Sequence, residues 1–321
     1  MTADPEMVWL VGDVGATNAR FGLVSPDGAV VHSSTFADVD FATIGEAIRA
    51  YLAQSRPATV PRAGCLAIAA PVTGDEIRMT NHPWSFSVAA LRAELGFERL
   101  EVINDFTAVA LALPHLGPND RVPVGGGEPV AGRPIAALGP GSGLGASGLV
   151  PDGARWLPLT SEGGHVTMPA VTERENAVLA WMRRHFDHVS AERCLSGPGL
   201  VNLYNALAGL DGVPAAAYTA AQITDAVTMA QDPLCREATG MFCQMLGTVA
   251  GDLALTLGAQ GGVYIAGGIV PRLGVRFVES GFRARFETKG RLSSYLAAIP
   301  TYVVTHPLPA FLGCAAVLAG T

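Results

Sequence analysis

Lysine is almost missing from this chain of 321 residues: Lys289 stands alone against twenty arginines. It lies in Glu287-Thr288-Lys289-Gly290-Arg291. No GxxxxGK[ST] phosphate loop therefore exists, and the strand lysine of a protein kinase has no candidate. Cysteine is scarce and unpatterned, five residues without a CxxC, which argues against a disulfide framework and against a zinc site. Charged residues are only 15% of the chain and their balance is acidic, −7 overall. Without a basic stripe interleaved with aromatics, nucleic acid is not an expected partner. Mean hydropathy is +0.32, yet no apolar run reaches the ~20 residues a membrane span requires. The best candidates, 65–70 and 108–113, are core-sized pieces. Asp4 and Glu6 stand where a signal peptide would carry Lys or Arg. The expectation is a soluble cytoplasmic globular protein with no membrane partner.

Glycine is abundant, with 38 residues beside 22 prolines, and the pattern alternates strands with helices. Residues 8–12, 19–24 and 29–33 predict three strands, with a Ser25-Pro26-Asp27-Gly28 turn before the third. Phe41, Ile44, Ile48, Tyr51 and Leu52 recur at helical spacing after Asp40. Strands are expected at 66–70 and 100–103, and a capping box, Thr172-Glu173-Arg174-Glu175, opens a helix running to about Phe186. A long apolar helix follows over 233–257, a strand at 263–266, another at 302–305 and a last helix over 310–318. The Gly/Pro-rich stretch 117–134 predicts the crossing between two α/β domains. Their expected extents are 1–115 with 306–321, and 116–305.

Two segments echo each other. Gly12-Asp13-Val14-Gly15-Ala16-Thr17-Asn18 follows a strand and leads to a second strand and a Pro-Asp-Gly turn. Gly139-Pro140-Gly141-Ser142-Gly143-Leu144-Gly145 does the same. The echo reads either as two common hairpins or as a duplicated unit. Residues 143–148 also match GxGxxG, but a dinucleotide fold needs those glycines to open a helix, and here a hairpin follows. A Gly-rich hairpin can instead wrap backbone N–H groups around phosphate oxygens. Asp13 then suits a Mg²⁺ shell of oxygens and retained waters, or is simply a turn-forming residue.

Other polar residues sit where chemistry or structure would use them. Asn104-Asp105 lies between a strand and a helix, placing Asp105 either as a helix cap or at a strand end where a ligand could meet it. Glu162 and His165 flank two glycines. A helical di-metal pair is improbable there, and a loop in which both meet sugar hydroxyls competes with a plain surface loop. Glu192 reads as dipole compensation at a helix start, and Trp84 beside His82 as core packing rather than a sugar platform.

Seven strings, in order, together resemble the bacterial glucokinase family of ATP-dependent hexose kinases, within the actin/sugar-kinase/heat-shock ATPase superfamily. They are the 12–18 loop, Thr80-Asn81-His82-Pro83-Trp84, Ile103-Asn104-Asp105-Phe106-Thr107-Ala108, Glu162-Gly163-Gly164-His165, Ser190-Ala191-Glu192-Arg193, Leu195-Ser196-Gly197-Pro198-Gly199-Leu200 and Ile265-Ala266-Gly267-Gly268-Ile269-Val270-Pro271. The Cys-rich zinc motif and DNA-binding extension of the repressor/kinase sister group are not seen.

The resemblance implies two ribonuclease-H-like, actin-like ATPase domains flanking a nucleotide/sugar cleft. It implies glucose and ATP as partners, Mg²⁺ as cofactor, glucose 6-phosphate and ADP as products, a place at the start of glycolysis, and a homodimer. It assigns Asp105 as catalytic base on the 6-hydroxyl, with Asn104, Asp105, Glu162, His165 and Glu192 holding the hexose. It places ATP against Gly12, Asp13, Val14, Gly15, Ala16, Thr17, Gly141, Ser142, Gly143, Gly267 and Gly268, with Mg²⁺ on Asp13 through water. One departure stands out, since many relatives carry Gly where this chain has Ala16. If that position required φ > 0, Ala would cost ~1 kcal/mol. A kinase for another hexose or amino sugar, a polyphosphate donor, and a non-catalytic sugar sensor remain as alternatives.

Overall fold

The computed structural model describes residues 8–25, 28–80 and 82–320. The reading of Asp4 and Glu6, the Pro26-Asp27 centre of the expected turn, Asn81 and Thr321 lie outside the described residues. The chain divides into two units, one of Met1–Gly117, Pro151–Thr160 and His306–Thr321, the other of Pro118–Val150 and Ser161–Thr305. The expected boundaries leave Pro151–Thr160 in the second.

In the first unit, β1 (Trp9–Val14), β2 (Asn18–Val24) and β3 (Val30–Ala37) form an antiparallel meander. Helix α1 (Ile44–Ser55) follows, then β4 (Ala63–Ile68) and a small ribbon of β5 (Glu76–Arg78) and β6 (Ser85–Ser87). Helix α2 (Val88–Leu95), β7 (Arg99–Asn104) and helix α3 (Asp105–Ala112) complete the N-terminal part. The sheet order is β3-β2-β1-β4-β7, with β4 and β7 added in parallel.

Strand alternation distributes the core over both faces of this sheet. Leu10, Leu66 and Ile68 pack with Ile44, Ile48 and Tyr51 of α1. Val11, Cys65 and Ala67 pack with Ala108 of α3 and with Phe311 and Cys314 of the C-terminal helix Pro309–Ala319. That last helix seats closely because residue 313 is glycine, and a Cβ there would run into the Ala108 carbonyl. Arg99 then ties its end, donating to the carbonyls of Val317 and Leu318 at 3.0 Å each.

The second unit repeats the plan. After β8 (Arg121–Pro123) come β9 (Ile135–Pro140) and β10 (Leu144–Asp152), followed by β11 (Arg155–Ser161), of which only Ser161 falls in the second unit. Helices α4 (Glu173–Met182) and α5 (Gly197–Asp211), the long helix Pro233–Leu257, β12 (Val263–Ile265) and β13 (Thr301–Val304) follow. The sheet order is β11-β10-β9-β12-β13-β8. An antiparallel β9–β10 hairpin is extended in parallel by β12 and β13, and β8 joins β13 antiparallel, the ribonuclease-H-like arrangement. The echoed glycine strings fall on corresponding hairpins, β1–β2 and β9–β10, which favours the duplicated unit.

Local signals explain most boundaries. The capping box at Thr172 and Glu175 forms as expected. Helix α4 stops at Met182, short of Phe186, because the chain tightens there: Arg184 donates to the Trp181 carbonyl at 3.2 Å and His185 to that of Met182 at 2.8 Å. Asp232 caps the long helix and Gly258, at φ +61°, ends it in the left-handed region. Among the described residues this is the one helix long and apolar enough to cross a membrane, and 61% of its most apolar window is buried inside the protein. Its Phe242, Met245, Leu246 and Ala250 belong to the second unit's core.

Candidate active site

In the first unit the glycine loop is a tight hairpin turn. The Gly15 amide donates to the Asn18 carbonyl at 3.0 Å, and the Thr17 carbonyl accepts from the Asp38 amide at 3.0 Å. Ala16 carries no left-handed strain, since Arg56 is the one non-glycine with positive φ among the described residues. The cost considered for Ala16 therefore does not arise. Gly12 owes its identity to packing: a Cβ there would press on Leu66 at 2.7 Å and Phe21 at 3.2 Å. The Val14 side chain is buried in the core, and its carbonyl accepts from the Ala69 amide at 3.0 Å. Asp13, one residue before the end of β1, stands opposite Arg20 on β2. Burial pushes its carboxyl above the usual value, and Arg20 pulls the other way.

Asn104 and Asp105 stand at the carboxyl end of β7, where α3 begins. The cap is Asn104, whose Oδ1 accepts from the amides of Phe106 at 2.9 Å and Thr107 at 3.1 Å. Asp105 is the first helical residue. Its Oδ1 accepts from the Phe106 amide at 2.8 Å and from Asn104 Nδ2 at 3.0 Å, and Nδ2 also lies 3.4 Å from the Ala70 carbonyl. Of the two roles open to Asp105, the helix cap thus belongs mainly to its neighbour.

Three segments distant in sequence meet in the second unit. The β9–β10 turn closes through the Gly141 amide donating to the Gly143 carbonyl at 2.8 Å. The Gly141 carbonyl accepts from the Gly197 amide at the start of α5, also at 2.8 Å. On the other side of the turn, the Leu144 amide donates to Glu192 Oε2 at 2.9 Å. Glu192 is half-buried, and its own amide donates to the Gly164 carbonyl at 2.9 Å. It lies in the turn before α5, which Ser196 caps, so the expected helix start at Glu192 is not formed.

Glu162 and His165 bracket a single 3-10 turn, Gly163–His165, with both side chains exposed. The turn is held by Ser161 Oγ, which accepts from the Gly163 amide at 2.9 Å. Gly164 packs on the Leu144 carbonyl with no room for a Cβ. Ser142 is exposed at the tip of the second loop, and a Cβ at Gly141 would meet nothing within 4 Å. Gly267, at φ +78°, lies directly on the Pro140 carbonyl, beside Gly268.

Ser161, Ser196 and Gly197 were assigned no role on the sequence, although Ser196-Gly197 lies within one of the resembling strings. Trp84 is core, 4% exposed, with Nε1 donating to the Phe41 carbonyl at 3.1 Å. His82 meets it edge-on at 4.7 Å. Among the described residues no three His, Cys, Asp or Glu side chains gather as a metal cage, and all five cysteines are buried and unbridged.

The family model described as Glucokinase matches residues 10–321. A glucokinase of Paramagnetospirillum magneticum is 53% identical over 307 residues, covering 95% of this chain and 96% of its own. One of Aromatoleum aromaticum is 54% identical over 310 residues, covering 96% and 94%. The crystal structure of glucokinase from an Antarctic psychrotroph superposes with a TM-score of 0.89 at 39% identity, covering 98% of this chain and 99% of that one. Sequence and fold agree over nearly the whole length, and the chain belongs to the glucokinase family.

Proposed function

We propose that the chain transfers the γ-phosphoryl group of ATP to the 6-hydroxyl of glucose, giving glucose 6-phosphate and ADP. The observation that carries this reading is the block in the second unit that joins the 141–144 turn, Glu192 and the Glu162–His165 turn through hydrogen bonds. It joins the glycine turn to Glu192 and to the turn that carries Glu162 and His165, three side chains suited to sugar hydroxyls. Glu162 and Glu192 accept from hexose hydroxyls, and His165 donates or accepts. Asn104 adds an amide, and Asp105 takes the proton of the attacking hydroxyl. A carboxylate suffices as base because phosphoryl transfer passes through a loose transition state, in which positioning and charge stabilisation dominate.

The residues around Asp13 fit a divalent cation. A carboxyl that burial drives toward its neutral form is one that a nearby cation would hold ionised, and Mg²⁺ accepts a single carboxylate with several waters. When bound, Mg²⁺ would offset the charge of the ATP phosphates. The 12–17 and 141–143 turns, with Gly267 and Gly268, would hold the nucleotide by backbone in the absence of a phosphate-loop lysine. The family resemblance supports a cytoplasmic reaction at the entry to glycolysis and a homodimeric enzyme, and light scattering of the purified chain checks the dimer.

The primary experiment is a coupled ADP-release assay over a panel of hexoses, with ATP and polyphosphate as donors. Glucose with ATP is expected to give the highest kcat/KM, and glucose binding without ADP release would overturn the reading. Asp105→Asn should lower kcat by about 10²–10⁴-fold. Near-normal turnover would remove the base assignment.

A further inference from the structure

The Glu192 carboxylate has two oxygens, and the structure engages Oε2 with the backbone of the glycine turn, at 2.9 Å from the Leu144 amide. We infer that Glu192 is a positioning residue that couples sugar occupancy to the conformation of the 141–144 turn, so that glucose and nucleotide bind cooperatively. This rests on the proposed reading, in which Glu192 also meets a hexose hydroxyl.

The coupling follows from how Glu192 is held. Its amide donates to the Gly164 carbonyl, and its carbonyl accepts from Ser196 Oγ at 2.8 Å. The backbone at 192 is therefore fastened to both the 162–165 turn and the start of α5, which leaves the side chain as the movable part. A charge-assisted hydrogen bond from an amide to a carboxylate is about twice as strong as a neutral one. A sugar hydroxyl donating to the same carboxylate reorients it and alters the bond to Leu144. The turn has little slack to absorb that change, because Gly197 pins its other end through the Gly141 carbonyl.

Residue 143 supplies independent support. A Cβ there would lie 2.5 Å from Glu192 Oε2, so glycine is what allows the carboxylate to seat against the turn. The φ of Gly143 is not among the positive ones, and the requirement is therefore steric rather than conformational. Coupling between sites is reciprocal. A perturbation on the turn side must consequently appear in sugar affinity, even though residue 143 is not a sugar ligand.

The test uses the full chain, glucose, and a non-hydrolysable ATP analogue with Mg²⁺, read by calorimetry and by amide exchange over residues 141–147. In the wild type, saturating glucose should change exchange in this segment and tighten the analogue by about 5-fold or more, the lower end of ordinary coupling. Glu192→Ala should speed exchange of the Leu144 amide without sugar and bring the coupling factor near one. Glu192→Gln keeps an oxygen acceptor and should retain slow exchange without sugar. Gly143→Ala should weaken glucose binding several-fold. Wild-type coupling of one, full coupling in Glu192→Ala, or unchanged glucose affinity in Gly143→Ala each overturns the inference. If both Glu192 variants bind glucose like the wild type while Leu144 exchange still rises in Glu192→Ala, the sugar-contact assignment fails separately from the turn contact.

Discussion

Asp38 is fully buried, and neither carboxylate oxygen has a hydrogen-bond partner among the described residues. Burial pushes its carboxyl above the usual value, and only the charge of His82 opposes that. Folding thus favours the protonated form, so stability is lost as pH rises from the ordinary carboxylate range through the raised folded value. Asp38→Asn removes that part of the slope. As pH rises above about 4, its melting temperature should fall less than the wild type's. A slope equal to the wild type's would sink this account. Nothing in the sequence marks Asp38, whose burial and nearness to the His82 charge arise only on folding. Asp105 was legible as a residue at a strand–helix junction, yet its division of labour with Asn104 was not. A cap and its neighbour differ by one position, which only the bond from Asn104 Oδ1 to Phe106 and Thr107 resolves. Gly12 was legible as part of a glycine loop, whereas the room it leaves for Leu66 and Phe21 was not.

Helix α4 enters through Glu175, a residue with three jobs. One oxygen accepts from the amides of Val171 at 2.7 Å and Thr172 at 3.1 Å, completing the capping box. The other pairs with Arg285 at 2.8 Å, the Glu175 side chain buried and that of Arg285 largely so. Removing one member of a buried ion pair leaves a stranded charge and costs about 3–5 kcal/mol. Glu175→Ala should therefore lower the denaturant midpoint by that equivalent without changing the m-value, and a loss below about 1 kcal/mol would show the pair to be unimportant. The cap was readable in Thr172-Glu173-Arg174-Glu175, because capping is local. The ion pair was not, since its partner is 110 residues away. The same contrast holds for the sheets. Both hairpins and their glycine turns were visible as strand–loop–strand strings, whereas the parallel neighbours β4 and β12 are chosen by long-range pairing. Helix ends moved by a few residues where a competing turn, as at Met182, stopped them.

Over the whole molecule, the first unit is discontinuous: its sheet comes from Trp9–Asn104, while one of its covering helices is Pro309–Ala319. The sequence pattern suggested that helix, but not how completely it is built into the core through Phe311, Cys314 and the close approach at Gly313. Ending the chain at Thr305 would uncover Val11, Cys65 and Ala67 and remove the carbonyls that Arg99 binds. Amide protection in β1, β4 and β7 should then fall toward that of an unfolded chain while the Pro233–Leu257 helix stays protected. Equal protection in both would deny the helix this role. The arrangement also has a consequence during synthesis. Domains ordinarily fold in order of emergence, at ~5–20 residues per second. Here the amino-terminal sheet leaves the ribosome first but must wait, one face covered only in part by α3, until residues 309–319 have been translated. The later-made unit is able to fold before the earlier one, so a ribosomal pause late in the message, or the loss of a chaperone that shelters Val11 and Ala67, would fall on the unit that carries Asp105.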